Sequence, residues 1–184
     1  MKTWLKTALF AATLSIATAP SAFAQNPTVG GAAMPSNRNI VENALNSPIH
    51  TTLVAAVKAA GLVDTLSGAG PFTVFAPTNQ AFDRLPAGTV ETLLQPGNKD
   101  MLVKVLTAHV VAGDMTGGQI LGKAMANGGS YKMKTVSGDT ITAVPDGRGL
   151  ALIDESGSKA VVTIADVDQS NGVIHVINNV LVPQ

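Results

Sequence analysis

Apolar residues recur at two different spacings along this chain, and the change from one to the other near residue 131 divides it. Ile49, Leu53, Val54 and Val57 follow a helical period, with Pro48 suited to the helix start and Gly61 to its stop. Leu102, Val105, Leu106 and His109 stand at i, i+3, i+4 and i+7, which predicts a helix over 100–109 with His109 turned inward at its end. Between these blocks, Phe72-Thr73-Val74-Phe75 is a β-rich run closed by Pro77. Thr78 or Asn79 can then cap a short helix carrying Ala81, Phe82 and Leu85. From Tyr131 the period shortens to two, and turn residues separate strands predicted at 131–136, 140–144, 150–154, 160–165, 172–177 and 180–182. Helices followed by strands predict an α+β domain rather than alternating βαβ units.

The amino terminus obeys neither period. A cationic start (Lys2, Lys6), an uncharged apolar stretch over 8–19 and a small-x-small site at Ala22-Phe23-Ala24 predict a cleaved export signal over 1–24. The apolar stretch falls short of the roughly 20 residues that span a bilayer. Residues 25–37, rich in Pro, Gly, Ala and Ser, read as a flexible leader, and 38–184 as the single folded domain.

Composition then narrows the chemistry. The 184 residues include twelve basic and twelve acidic side chains, and without Lys2 and Lys6 ten basic residues face twelve acidic ones. A net charge of −2 with no basic run argues against a nucleic-acid partner. No cysteine means no disulfide, thiolate metal site or cysteine nucleophile. His50, His109 and His175 are 59 and 66 residues apart, without the short spacing a zinc site uses, so no metal or cofactor is expected. Gly-x-Ser-x-Gly is absent, and Ser156-Gly157-Ser158 lies in a polar turn between strands rather than at a strand-to-helix elbow. Asp166 to Gly172 is oxygen-rich like a calcium loop but lacks the closing bidentate Glu. The chain is therefore expected not to be an enzyme. Lys132 and Lys134 alternate with Tyr131, Met133 and Thr135, placing both lysines on one strand face, either as a solvated edge or as a docking strip for an acidic partner.

Three segments carry a family resemblance. Gly70 to Phe82, with Phe72, Phe75, Pro77, Thr78, Asn79 and Phe82, resembles the first signature block of the fasciclin (FAS1) domain. Asn171-Gly172-Val173-Ile174-His175-Val176-Ile177, followed by Val180 to Pro183, resembles the second block. Thr107 to Gly113, with His109, is similar to the central Tyr-His segment. The resemblance implies a twisted β-sandwich or wedge flanked by several helices, with His109, Gly172 and His175 in structural roles.

It also implies a function. Fasciclin domains are extracellular adhesion modules, generally without catalytic activity, so the resemblance implies a secreted or periplasmic, surface-associated protein that binds an extracellular protein or polysaccharide as a monomer or weak oligomer. In animal members integrin contact is assigned to the Tyr-His segment and to an Asp-Ile pair before the second block. The matching positions are His109, Val110 and Val111, and Asp166 with Val167, with Ala108 in the Tyr place and Asp168 in an apolar one. The alternative is a carrier of an apolar molecule such as a carotenoid or lipid, with Met101, Met115, Met125 and Met133 as an adaptable lining.

Overall fold

The structure is a computed structural model describing residues 26–147 and 149–183, so the predicted export signal lies outside the described residues. The first half builds helices around one strand: α1 (Ile40–Asn46), α2 (Thr51–Ala60), α3 (Val63–Ser67), β1 (Phe72–Pro77), α4 (Asn79–Asp83), α5 (Thr89–Leu93) and α6 (Lys99–Thr107). After β2 (Val110–Ala112) and α7 (Gly117–Ala126) come β3 (Tyr131–Lys134), β4 (Thr140–Asp146), β5 (Gly149–Ile153), β6 (Lys159–Gln169) and β7 (Gly172–Ile177).

The seven strands form one sheet in the order β2-β1-β7-β6-β5-β4-β3. Strands β3 to β7 are joined by local antiparallel hairpins, whereas β1 and β7, nearly a hundred residues apart, run parallel in the register Phe72↔Gly172 to Pro77↔Ile177. A bridge between Val111 and Thr135 brings the two edges together, so the sheet curls almost shut into a wedge.

Alternation along β1 and β7 splits the interior in two. Val74, Ala76, Ile174 and Val176 face the helices, where they pack with Leu53, Val57, Leu102 and Leu106. Phe75 and Ile177 face into the wedge with Ile120, Met133, Ile141, Leu150 and Leu152. The central pair is thus covered on both sides, which explains why 172–177 is apolar at nearly every position.

Four local expectations change. Residues 180–182 form no strand: the Leu181 and Val182 amides donate to His109 Nε2 and Asp154 Oδ2, both at 2.9 Å, instead of to a ladder. Strand β3 stops at Lys134 because the Thr135 amide turns back to the Asp139 carbonyl. Strand β6 runs four residues past its expected end, bending through register irregularities between Val162 and Val167, with Asp166 at φ +58°. The leader expected to be flexible is anchored to the domain at points along 26–37: Val29 and Met34 are buried, and the Asn26 side chain bonds the Asp168 backbone in both directions. Two apolar anchors among small residues suffice for that docking but leave no period to read.

Candidate functional site

The three family-like segments meet where β1 lies between β2 and β7. Residue Phe75 is their common point. Its amide donates to the His109 carbonyl at 2.9 Å, and its ring stacks on His175 with centroids 5.5 Å apart.

His109 and His175 are each held in one neutral tautomer by two backbone partners. His109 Nδ1–H donates to the Val105 carbonyl at 2.7 Å while Nε2 accepts the Leu181 amide. His175 is the mirror case: Nε2–H donates to the Met115 carbonyl at 2.9 Å and Nδ1 accepts the Asp166 amide at 3.2 Å. Burial pushes His109 down to about 4, against the opposing pull of the Val105 carbonyl and the Asp154 charge. His175 is lowered for the same main reason, opposed by the Met115 carbonyl and by Asp166, Asp114 and Asp168. Neither ring has a free nitrogen with which to take a proton from a substrate.

Asp166 belongs to the same web. It is half-buried, and its Oδ1 accepts the Gly117 amide at 2.6 Å at the start of α7, beside the Thr116–Gln119 capping box. One step along β1, Thr73 Oγ1 accepts the Met115 amide at 3.0 Å and donates to the Gly113 carbonyl at 2.7 Å. Asn171 joins the far end of β7 to the helices, accepting the Ile40 amide and donating to the Leu66 and Gly68 carbonyls. Beside it Gly172 has no substitute, since a Cβ there would lie 2.0 Å from the Phe72 carbonyl oxygen. In the first block, Thr78 caps α4 through the Ala81 amide, and Asn79 ties the α1–α2 corner by accepting the Thr52 amide and donating to the Pro48 carbonyl. Phe82 is buried beneath it, and Pro77 closes the β1–β7 register.

Of the residues matched to animal integrin contacts, His109, Val110, Val111 and Val167 are all buried, with at most 4% of any of them exposed. The Asp166 carboxylate is engaged at α7. The structure therefore brings these positions together inside the fold, as a join between elements, and not as a surface strip. Thr73 escaped notice in the sequence; a threonine between Phe72 and Val74 on a buried strand was its only signal.

The surface offers two different features. On the outward side of the hairpins, the register aligns Lys132, Thr142, Ile153 and Lys159 in one row across four strands, with Lys134 and Thr140 in the next. Helix α7 covers the opposite side, packing Ile120 and Ala124 inward. Lys132 and Lys134 are exposed and have no ion pair among the described residues, while Lys159 bonds Asp146 at 3.0 Å. The second feature is an apolar pocket between α1, α2, α3, α6 and β1, lined by Ile40, Leu53, Val57, Leu66, Val74 and Leu106 with Lys58 at its rim. Its internal room is about 40 Å³. An engineered cavity that takes up benzene is roughly 150 Å³, so a polyene or acyl chain enters here only if the helices part. The four methionines do not form one lining: Met133 and Met115 belong to the wedge interior, and Met101 and Met125 are exposed on α6 and α7.

Among the described residues no group of three or more His, Asp or Glu is placed to hold a metal ion, and no helix is long and apolar enough to cross a membrane. The Asp154 carboxylate is used within its own turn by Ser156 and Ser158 and across the fold by the Val182 amide.

Comparison with known proteins agrees with this geometry. The chain is 50% identical over 160 residues to Protein sll1483 of Synechocystis, covering 86% of this chain and 81% of that protein. It is 33% identical over 166 residues to the cell surface glycolipoprotein MPB83 of Mycobacterium bovis, covering 87% and 68%. Among solved structures, a FAS1 domain pair from the insect cell adhesion molecule Fasciclin I matches with a TM-score of 0.71 at 18% identity, over 78% of this chain and 50% of that one, and shares the fold. A family model described as the fasciclin domain matches residues 48–183, and the chain belongs to that family.

Proposed function

We propose that this protein is an exported, non-catalytic adhesion module that binds an acidic extracellular partner through the outer face of its β3–β6 hairpins. The observation that carries this reading is the division of labour between buried and exposed residues. The histidines and Asn171 of the family-like segments have their polar atoms occupied in joining the fold, and Asp166 Oδ1 is engaged at the start of α7. The Lys132–Thr142–Ile153–Lys159 row, by contrast, is partly apolar and carries positive charge without an ion pair among the described residues at its Lys132 end, with Lys134 in the next row, while Lys159 at the other end is paired to Asp146. On a chain carrying net −2 after signal removal, an anionic surface is repelled elsewhere and attracted here. The relation to a cell surface glycolipoprotein and the fold shared with a cell adhesion molecule support the extracellular setting.

The test is attachment of the producing cells to an anionic surface, comparing wild type, a gene deletion and the double variant Lys132→Glu/Lys134→Glu. Both altered strains are expected to lose attachment together, with the purified double variant keeping its melting temperature. Attachment unchanged in the deletion refutes adhesion; attachment lost in the deletion but kept in the double variant moves the contact surface elsewhere.

A further inference from the structure

A second cavity lies where the docked leader, α1, α2 and the sheet converge, walled by Val29, Met34, Asn43, His50, Ala76 and Ile174. Inside it only about 10 Å³ is open to the centre of a water-sized sphere, which is room for one water molecule. Two polar atoms of its wall, Asn43 Oδ1 and His50 Nε2, have no hydrogen-bond partner, although Asn43 is fully buried and His50 is 3% exposed. Buried polar atoms are nearly always paired, so two orphans on one small cavity call for a shared partner.

Neither orphan is removed by turning its side chain over. Asn43 Nδ2 donates to the Pro35 carbonyl at 2.8 Å and to Gln169 Oε1. Gln169 is itself oriented, because its Nε2 donates to the Val167 carbonyl at 3.1 Å. A half-turn of the Asn43 amide would set its oxygen against two acceptors. On the other side, His50 Nδ1 lies 2.8 Å from Ser47 Oγ. The Ala76 carbonyl stands near enough to favour a proton on the ring, but not in hydrogen-bonding geometry to Nε2. With the Ser47 hydroxyl donating to Nδ1, the neutral ring carries its proton on Nε2.

We infer that this cavity is a binding site for a single water molecule, which accepts a hydrogen bond from His50 Nε2–H and donates one to Asn43 Oδ1. With it in place an unbroken line of hydrogen bonds runs from Ser47 through His50, the water, Asn43 and Gln169 to the β6 backbone at Val167. Midway along the line Asn43 also holds the Pro35 carbonyl, so the water ties the leader's contact to the start of α2. The larger apolar pocket nearby differs in kind: the one histidine on its wall, His109, has both nitrogens paired, and apart from Lys58 at the rim its side chains are apolar.

Two measurements on the purified protein test the site. A crystal structure at about 1.5 Å or better is expected to show one solvent peak within about 2.6–3.2 Å of both Asn43 Oδ1 and His50 Nε2. Nitrogen-15 NMR of the histidine side chains is expected to find His50 in the Nε2–H form, with a cross-peak from that proton to a slowly exchanging water. An empty cavity, a direct Asn43–His50 hydrogen bond, or a ring protonated on Nδ1 alone would overturn the assignment.

Discussion

The β1–β7 centre and the β3–β6 hairpins belong to one sheet yet are held by different means. At the centre, partners nearly a hundred residues apart are locked by side chains reaching backbone groups: Asn171 to α1 and α3, His175 and Asp166 to the start of α7, His109 to the carboxy-terminal segment. In the hairpins, each strand pairs with its sequence neighbour and the side chains mainly fill the wedge or face solvent. Loop-closure entropy explains the contrast, because a hairpin closes a short loop while the parallel pair closes one of about a hundred residues. The long-range join needs specific polar contacts to fix its register; the local one needs pattern and turns.

Matched glycine substitutions break this comparison most sharply. A methyl group at Gly172 would meet the Phe72 carbonyl oxygen at 2.0 Å, so Gly172→Ala must separate β1 from β7. A loss of at least about 4 kcal/mol is expected, in the exceptional range for one substitution. Gly138, in the β3–β4 turn, has φ +94° but open space around it. Gly138→Ala should cost about 1–2 kcal/mol, the backbone term alone. Urea unfolding of the two variants measures the difference, and equal losses would end the distinction between the regions.

His109→Ala comes next. It leaves the Leu181 amide and the Val105 carbonyl unpaired and opens a cavity in place of a fully buried ring, for an expected loss of about 3–4 kcal/mol. The melting temperature should fall by about 10 °C for a domain of this size. A fall of less than about 2 °C would remove His109 from the join.

Acid should act on the same region. The folded His109 sits at about 4, below the ordinary 6.5, so as pH falls the unfolded chain takes up its proton first. Stability from this group is whole above about pH 6.5 and declines to about pH 4, where the folded ring is protonated too, a total of about 3 kcal/mol. His50 and His175 are lowered as well and act in the same direction. Denaturant midpoints measured across this window should drop with falling pH in wild type and drop less in His109→Ala. A wild-type midpoint that does not fall through this window would contradict the buried neutral rings.

How much of this was visible in the residues follows the same division. Period-two alternation over 131–153 located the hairpins, and the helical spacing of Leu102, Val105, Leu106 and His109 put that histidine inside. The motif residues pointed to the β1–β7 centre through a family resemblance; their bonding partners did not show, because Leu181, Met115 and Val105 contribute only backbone atoms to it. Helix α7 was hidden by Gly117, Gly118 and Gly122, and its one local signal was the Thr116–Gln119 spacing. Strand β2 is three residues long and borrows its pairing from β1, so no period announces it.

Two threonines give the finest test. Thr73 is fully buried in β1 and bonds the Met115 amide and the Gly113 carbonyl, whereas Thr142 faces outward from β4 between Lys132 and Ile153. Exchanging either for valine keeps the shape and removes only the hydroxyl. At Thr73 two backbone groups lose their partner, which should cost about 1–2 kcal/mol. At Thr142 the hydroxyl holds no group of the join, and valine suits a strand at least as well, so the change should stay within about 0.5 kcal/mol. Because the two substitutions are chemically identical, thermal unfolding of the pair separates position from residue type. A Thr142→Val loss as large as that at Thr73 would mean that the outer face, too, is held by polar contacts, and it would no longer be a surface left open for a partner.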